Sequence, residues 1–395
     1  MRQKNLPFAA LVITLAALTA FGPVATDMYL PGMSEMASHF GSSAGYIQST
    51  ISLFVLGLAF GQLIYGPLSD RFGRRMPLLA GVAIFTLASL GCALATGVQW
   101  LIVLRFAQAV GAAAGMLIVR AIVNDLFERT EVARVLSLMM MVMMVAPIVA
   151  PLLGGWMLLA LGWQSIFWFM VCYGLVCAAL VLFVVPESLP VHRRQPLSFG
   201  GLFATYRQLT VRRGFMVPAL CCGLASGTLF AYITGSEFVF TQLYGLSVQQ
   251  YSTLFACNAG ALVLSNFMNR LLLLRWRVEQ VFSTALLLQA SFALLLVMAV
   301  VLALPMAFFI VALWLAVGCM GLIGANGAAI AMGAAGQHGG SASGLLGVTQ
   351  FGIASMVSAA VAATQNGTAY PLALTIGTCA ISARTLWWLG RPSVR

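Results

Sequence analysis

The sequence predicts an all-α polytopic membrane protein, with twelve transmembrane helices in two pseudo-symmetric six-helix bundles. Three observations carry this reading. Of 395 residues, 61% are hydrophobic and only 7% charged, whereas a soluble globular chain carries about 25% charge to keep its surface wet. The apolar residues fall in long runs of the kind a spanning helix needs, about 20 residues each, without the alternation of a membrane barrel. These runs divide into two sets of six around one long polar segment. A soluble enzyme, a disordered chain, a secreted disulfide scaffold and an outer-membrane barrel are all excluded by this composition.

The first run, near 8 to 29, follows Arg2 and Lys4. It is too long for a signal peptide and no A-x-A pattern closes it, so it reads as a retained first span. Breaks at Gly, Pro and charge clusters then place spans near 45–67, 76–95, 98–120, 134–158 and 164–185. The segment 186–213, with Glu187, His192, Arg193, Arg194, Arg207, Arg212 and Arg213, is the longest polar stretch and divides the chain. Six further spans lie near 215–236, 247–269, 279–302, 306–328, 341–363 and 368–389. The predicted organisation is therefore an N-terminal bundle over 1–185, a cytoplasmic linker over 186–213 and a C-terminal bundle over 214–395.

Charge distribution sets the orientation, because cytoplasmic loops are the ones enriched in Lys and Arg. Arg2, Lys4, Arg71, Arg74, Arg75, Arg129, Arg134, the five linker arginines, Arg270, Arg275, Arg277, Arg391 and Arg395 all fall on one side. The alternate loops, near 30–44, 96–97, 159–163, 237–246, 303–305 and 364–367, contain neither Lys nor Arg. Both termini are thus expected in the cytoplasm of a multi-pass protein of the bacterial inner membrane. The net charge of +11 reads as topology signalling and contact with anionic lipid, and nucleic acid is not an expected partner. The eight cysteines lie mostly inside apolar runs with no CxxC pair, which reads as small buried hydrophobes.

An ionisable group within a span costs on the order of 2.5–3.5 kcal/mol, so each is a functional candidate. Asp27, late in span 1, and Arg105, early in span 4, lie at similar depth. A carboxylate whose distance to an arginine changes with conformation can load and release a proton, so this pair is the candidate for proton coupling. Glu237, at the outer end of span 7, reads as interfacial, and Arg120 and Arg384 as snorkelling. Span 5 carries a Met-rich start through Met144, then Pro147, Pro151, Gly154 and Gly155, a pattern expected to weaken and bend the helix. Methionines form adaptable apolar surfaces. Met144, Gln108, Tyr29, Phe230, Tyr232, Phe255, Asn258 and Asn326 are the candidate substrate-binding residues. Small-residue stripes at 111–115 and at Gly318, Gly321, Gly324 and Gly327 permit close helix packing. No phosphate-binding loop, metal pair or hydrolytic set occurs, so the chain is expected to be neither an enzyme nor an ATP-driven pump, to need no cofactor or metal, and to draw its energy from a gradient.

The stretch Gly66-Pro67-Leu68-Ser69-Asp70-Arg71-Phe72-Gly73-Arg74-Arg75 closely resembles the signature loop of the major facilitator superfamily. The L-x-x-x-R-x-x-Q around Arg105 resembles that superfamily's proton-coupling motif, with Ala109 in place of a glycine, and A-P-x-x-A-P-L-L-G-G resembles its antiporter motif. With D-M-Y-L-P at 27–31, the chain is most similar to twelve-span drug:proton antiporters of the bicyclomycin and chloramphenicol resistance branch. The resemblance implies gating by Gly66, Asp70, Arg71, Gly73, Arg74 and Arg75. Asp70 would stand beside the start of span 11 at Ser341 and Ser343, and the arginines would be available to Asp125 or Glu128. It further implies a monomer whose partners are protons, a small-molecule substrate and the lipid bilayer, working by alternating access. The expected cargo is a small amphipathic drug of phenicol, bicyclomycin or sulfonamide-like type, neutral or anionic because acidic pocket residues are scarce. An endogenous metabolite such as a purine, nucleoside or amino acid is the alternative cargo, and a non-transporting sensor or a channel are the alternatives of another class.

Overall fold

A computed structural model describes residues 8–194, 199–336 and 339–390. Arg2, Lys4, Arg391 and Arg395 lie outside the described residues, as does the side chain of Arg129. The described chain is helical, with no strand among the described residues. Its helices are α1 (Phe8–Thr19), α2 (Phe21–Asp27), α3 (Met33–His39), α4 (Ala44–Phe72), α5 (Arg75–Ala93), α6 (Val98–Leu126), α7 (Arg129–Leu161) and α8 (Gln164–Phe183). There follow α9 (Phe199–Val211), α10 (Arg213–Glu237), α11 (Val248–Leu272), α12 (Val278–Val301), α13 (Met306–Gly318), α14 (Met320–Ala335), α15 (Gly339–Ala363) and α16 (Tyr370–Gly390).

Every predicted span is occupied by helix. Among the described residues ten helical segments are long and apolar enough to cross a membrane, and eleven if the bent first pair counts as one. The remaining segment, α11, is a 25-residue helix whose Gln249, Gln250, Asn258, Asn266 and Asn269 lower its apolarity. Its start is well defined. Ser247 Oγ accepts from the Gln250 amide at 3.3 Å while Gln250 Oε1 accepts from the Ser247 amide at 2.8 Å, which satisfies two otherwise orphaned donors.

Several boundaries differ from the sequence expectation for identifiable reasons. The first span is bent by 43° between α1 and the segment Phe21–His39, because Pro23 has no N–H for the Thr19 carbonyl and its ring crowds that turn. Residues 30–44, read as a loop, hold a 3₁₀ turn at Leu30–Gly32 and then α3. Helix α4 runs through Pro67 to Phe72, so Asp70 and Arg71 stand on its last turn rather than in a loop. At about 1.5 Å per residue, its 29 residues exceed the roughly 30 Å hydrocarbon core. Helix α7 continues over 33 residues with Pro147 and Pro151 inside it. The linker is not all loop, since α9 lies within it.

The chain forms two compact units, Met1–Phe40 with Leu56–Phe199 and Gly41–Val55 with Gly200–Arg395. In the first, small residues bring backbones together. A Cβ at Gly115 would strike the Leu18 carbonyl and one at Gly111 the Phe85 amide, which locks α6 against α1 and α5. In the second unit, α10 packs along α14, α15 and α16. Phe282, Leu286, Cys222, Ile323 and Trp387 fill one part of its core. Leu209 of α9 joins Phe215, Ala331, Ala335 and Leu345 in another, so the linker helix is docked on this unit. The start of α4 belongs here too, with Ser355 Oγ donating to the Ser52 carbonyl at 2.9 Å.

Candidate functional site

In the first unit Asp27 is the last residue of α2, where the helix gives way to Tyr29 and the 3₁₀ turn. It is 5% exposed and, among the described residues, the sole acid of this unit's spans buried in this way. Arg105 of α6 is fully buried. Its Nη1 donates to the Ala25 carbonyl at 2.9 Å and to Gln108 Oε1 at 2.6 Å, and its guanidinium lies 4.4 Å from the Tyr29 ring centroid. Gln108 Nε2 in turn donates to Ser89 Oγ at 2.7 Å and meets Met170 Sδ at 3.2 Å. A continuous buried polar chain thus ties spans 1, 3, 4 and 6 together, two residues from Asp27. No ion pair joins Asp27 to Arg105 among the described residues. The arginine holds the backbone that presents the acid.

This geometry brings two candidate substrate residues onto the arginine. Gln108 and Tyr29, read from sequence as substrate contacts, are buried and engaged by Arg105. Gly154 also gains a defined part, because a Cβ there would strike the Met28 carbonyl. Only glycine lets α7 approach the backbone next to Asp27 this closely. Gly155 is buried beside it and Met144 is half-buried.

At the arginine-bearing end of the same unit, Arg74 is the hub. Its Nε donates to Asp125 Oδ2 at 3.0 Å and its Nη1 to Asp70 Oδ1 at 2.6 Å and to Ser69 Oγ at 2.9 Å. Burial works against the cation, but the bonds to Asp125 and Asp70 outweigh it and hold the pKa of Arg74 above its ordinary value. Ser188 Oγ donates to the same Asp125 oxygen at 3.0 Å. Glu187 accepts from the backbone amides of Arg74 at 2.8 Å and Arg75 at 3.3 Å, and so places a negative charge at the start of α5, where the helix dipole favours it. Gly73 adopts φ +88° directly against this carboxylate, a conformation and a clearance that suit glycine alone. Arg75 donates to the Leu182 carbonyl, Arg71 is exposed, and open space surrounds the position of a Cβ at Gly66.

In the second unit, Tyr232 and Phe255 stack at 5.2 Å with 13° between ring planes. Asn258, one turn further along α11, is 1% exposed, and neither its Oδ1 nor its Nδ2 has a partner in the structure. Phe230 is half-buried against Phe351. Asn326 is buried and hydrogen-bonded. Its Nδ2 donates to Asn269 Oδ1 at 2.6 Å and to the Leu322 carbonyl at 2.8 Å, making a tie between α14 and α11. Arg384 donates to Ser283 Oγ at 3.0 Å in addition to any snorkelling. Glu237 departs most from expectation: a headgroup-facing carboxylate is wet, yet Glu237 is 3% exposed.

The family model of the Major Facilitator Superfamily matches residues 13–359, and the chain belongs to that superfamily. An uncharacterized MFS-type transporter of Bacillus subtilis, YdgK, is 36% identical over 92% of this chain and 90% of its own. A bicyclomycin resistance protein homolog of Haemophilus influenzae is 30% identical, covering 96% of both chains. A chloramphenicol resistance protein of Pseudomonas aeruginosa is 31% identical over 69% of this chain and 65% of its own. Among solved structures, a D-xylose-proton symporter superposes with a TM-score of 0.75 at 14% identity, over 96% of this chain and 98% of its own. That likeness establishes the fold.

Proposed function

We propose that this member of the Major Facilitator Superfamily is a proton-coupled antiporter that exports small amphipathic drugs across the bacterial inner membrane by alternating access. It is a multi-pass transporter and not an enzyme, with relatives named for resistance to bicyclomycin and chloramphenicol. The finer reading rests above all on the buried chain from the Ala25 carbonyl through Arg105 to Gln108 and Ser89, which fixes the backbone two residues before Asp27. In this reading Asp27 exchanges the proton. Arg105 sets how readily it does so, and Gly154 transmits movement of α7 to the backbone beside the acid. Energy comes from the membrane potential, about 2.3 kcal/mol per charge per 100 mV, and from the pH gradient. The Arg74 hub with Asp70 gates the arginine-bearing face, taken as cytoplasmic with both termini. The working molecule is a monomer of two six-helix halves joined by the 186–213 linker. Asn258, with Tyr232 and Phe255, offers hydrogen bonds and an aromatic face to cargo, and Met144 an adaptable apolar contact.

The test is proton movement in everted membrane vesicles energised by respiration, with chloramphenicol, bicyclomycin, a sulfonamide and a purine added in turn. A drug should dissipate the pH gradient with wild type and leave it intact with Asp27→Asn that is folded to the same level. Dissipation by the purine alone would reassign the cargo to a metabolite, and dissipation by Asp27→Asn equal to wild type would remove Asp27 from coupling.

A further inference from the structure

In the second unit, α11 and the span Met306–Ala335, made of α13 and α14, are joined at three levels. Phe240 packs against Tyr251 of the first at 6.5 Å and Phe309 of the second at 5.8 Å between ring centroids. Further along, a Cβ at Gly321 would lie 2.8 Å from Ser265 Oγ, and Asn326 donates to Asn269. Residue numbers rise together through these contacts, so the helices run parallel and each residue of α11 stands level with the one about 57 positions later. Asn258 and Trp314 precede Ser265 and Gly321 by the same two helical turns, which puts both on the seam that Ser265 and Gly321 close. Asn258 is 1% exposed, and its Oδ1, its Nδ2 and the buried Nε1 of Trp314 all lack a hydrogen-bond partner. Unpaired buried polar atoms are costly and each calls for an explanation. There is room beside them, since no atom lies within 4 Å of the position of a Cβ at Gly318, one turn after Trp314 on the same side. One turn before Asn258, Phe255 lies stacked on Tyr232.

We propose that Asn258 and Trp314 form the polar end of a cargo site inside the C-terminal unit, and that its cargo is an uncharged ring compound bearing an amide or hydroxyl group. The proposal rests on the export reading and deepens it by naming the class of cargo. Trp314 Nε1 and Asn258 Nδ2 donate to a carbonyl or hydroxyl oxygen of the cargo, Asn258 Oδ1 accepts from an adjacent N–H or O–H, and the cargo ring lies against Phe255. Charge is selected against by distance. The pairing of Tyr232 with Phe255 and of Ser236 with Tyr251 sets α10 antiparallel to α11 and puts Leu229 level with Asn258. The charged side chains of α10, α11 and Met306–Ala335 are Arg213, Glu237 and Arg270, which stand about 24, 12 and 18 Å away along the helix axes at about 1.5 Å per residue. A charged cargo would lose its water here with no countercharge on these helices beside it, a penalty a neutral one avoids.

The test is equilibrium binding to the purified full chain in lipid nanodiscs, with chloramphenicol, bicyclomycin and adenosine as neutral probes, tetraphenylphosphonium as a cation and benzoate as an anion. Wild type should bind at least one neutral probe, and more tightly than either ion. Trp314→Phe, which keeps an aromatic ring and removes the N–H, should weaken that probe about tenfold, and Asn258→Leu at least as much. The thermal midpoint of the ligand-free protein should stay level or rise in both variants, because each removes an unsatisfied polar group, whereas a purely structural role predicts a fall. Unchanged affinity in both variants overturns the proposal, as does a wild type that prefers an ion or binds none of the neutral probes. Should Asn258→Leu not fold, Trp314→Phe decides alone. A probe whose binding weakens in these variants but which moves no protons in energised vesicles counts against the antiport reading and leaves the site standing, so the two failures are distinguishable.

Discussion

On the last turn of α4, Asp70 meets Arg74, which reaches across to Asp125 of α6. Near the end of α11 the corresponding residue is Asn269, which meets Asn326 of α14 amide to amide at 2.6 Å. The same position in each unit thus carries a charged tie in one and a neutral tie in the other. A charged tie responds to salt, to protonation and to a competing ion, and a neutral amide pair responds to none of these. The arginine-bearing end of the first unit is therefore held by a tie that salt and protonation can weaken, and the second, with α9 docked on it, by one that they do not. The contrast extends to the acids. Asp27 stands next to a backbone-to-backbone contact through Gly154, whereas Gly235 beside Glu237 faces only the side chains of Val361 and Leu372, at 3.2 and 3.3 Å from an added Cβ.

The sharpest way to break this comparison is to add one methyl group on each side. Gly154→Ala should destabilise by about 3 kcal/mol, the upper range of overpacking, because a carbonyl cannot move aside, and Gly235→Ala by under about 1 kcal/mol, because side chains can. Thermal unfolding in detergent measures both, and equal losses would erase the distinction. Next in size, Arg74→Ala should cost about 1–3 kcal/mol. The buried-pair figure is reduced here because the Asp70 side chain is 49% and the Asp125 side chain 23% exposed. This penalty should shrink as salt is raised. Asn269→Ala should cost about 1 kcal/mol, with no salt dependence, and a salt-sensitive loss there would contradict the neutral tie. Glu187→Gln should have the smallest effect, about 0.3–1 kcal/mol from the weakened charge at the start of α5, detectable as faster amide exchange in the first turn of that helix.

Much of this was legible in the sequence, because a bilayer imposes long apolar runs and a loop charge bias that one-dimensional patterns record directly. The spans and the isolated positions of Asp27 and Arg105 are of that kind, whereas the availability of Arg74 to Asp125 is implied by the resemblance of the loop to the family's signature. Hydropathy does not record which way a residue faces. Glu237 near a span end reads as wet, and only the packing of the second unit buries it. Gln108 and Tyr29 look like pocket residues because polar and aromatic groups in a span are rare, and only the fold reveals that Arg105 engages both. Asn326 has its partner 57 residues away, a pairing no local pattern carries. Local propensity disfavours helix at the prolines of α7, yet the helix assignment runs through both, because neighbouring helices re-satisfy the backbone there.

The central claim is that Asp27 couples drug movement to protons while the rest of the machine moves the drug. Purified protein in liposomes separates the two steps with radiolabelled chloramphenicol. Exchange of labelled for unlabelled drug at equal pH should run comparably in wild type and Asp27→Asn, while only wild type should accumulate drug against its gradient when a pH difference is imposed. Accumulation by Asp27→Asn at the wild-type level would contradict the account.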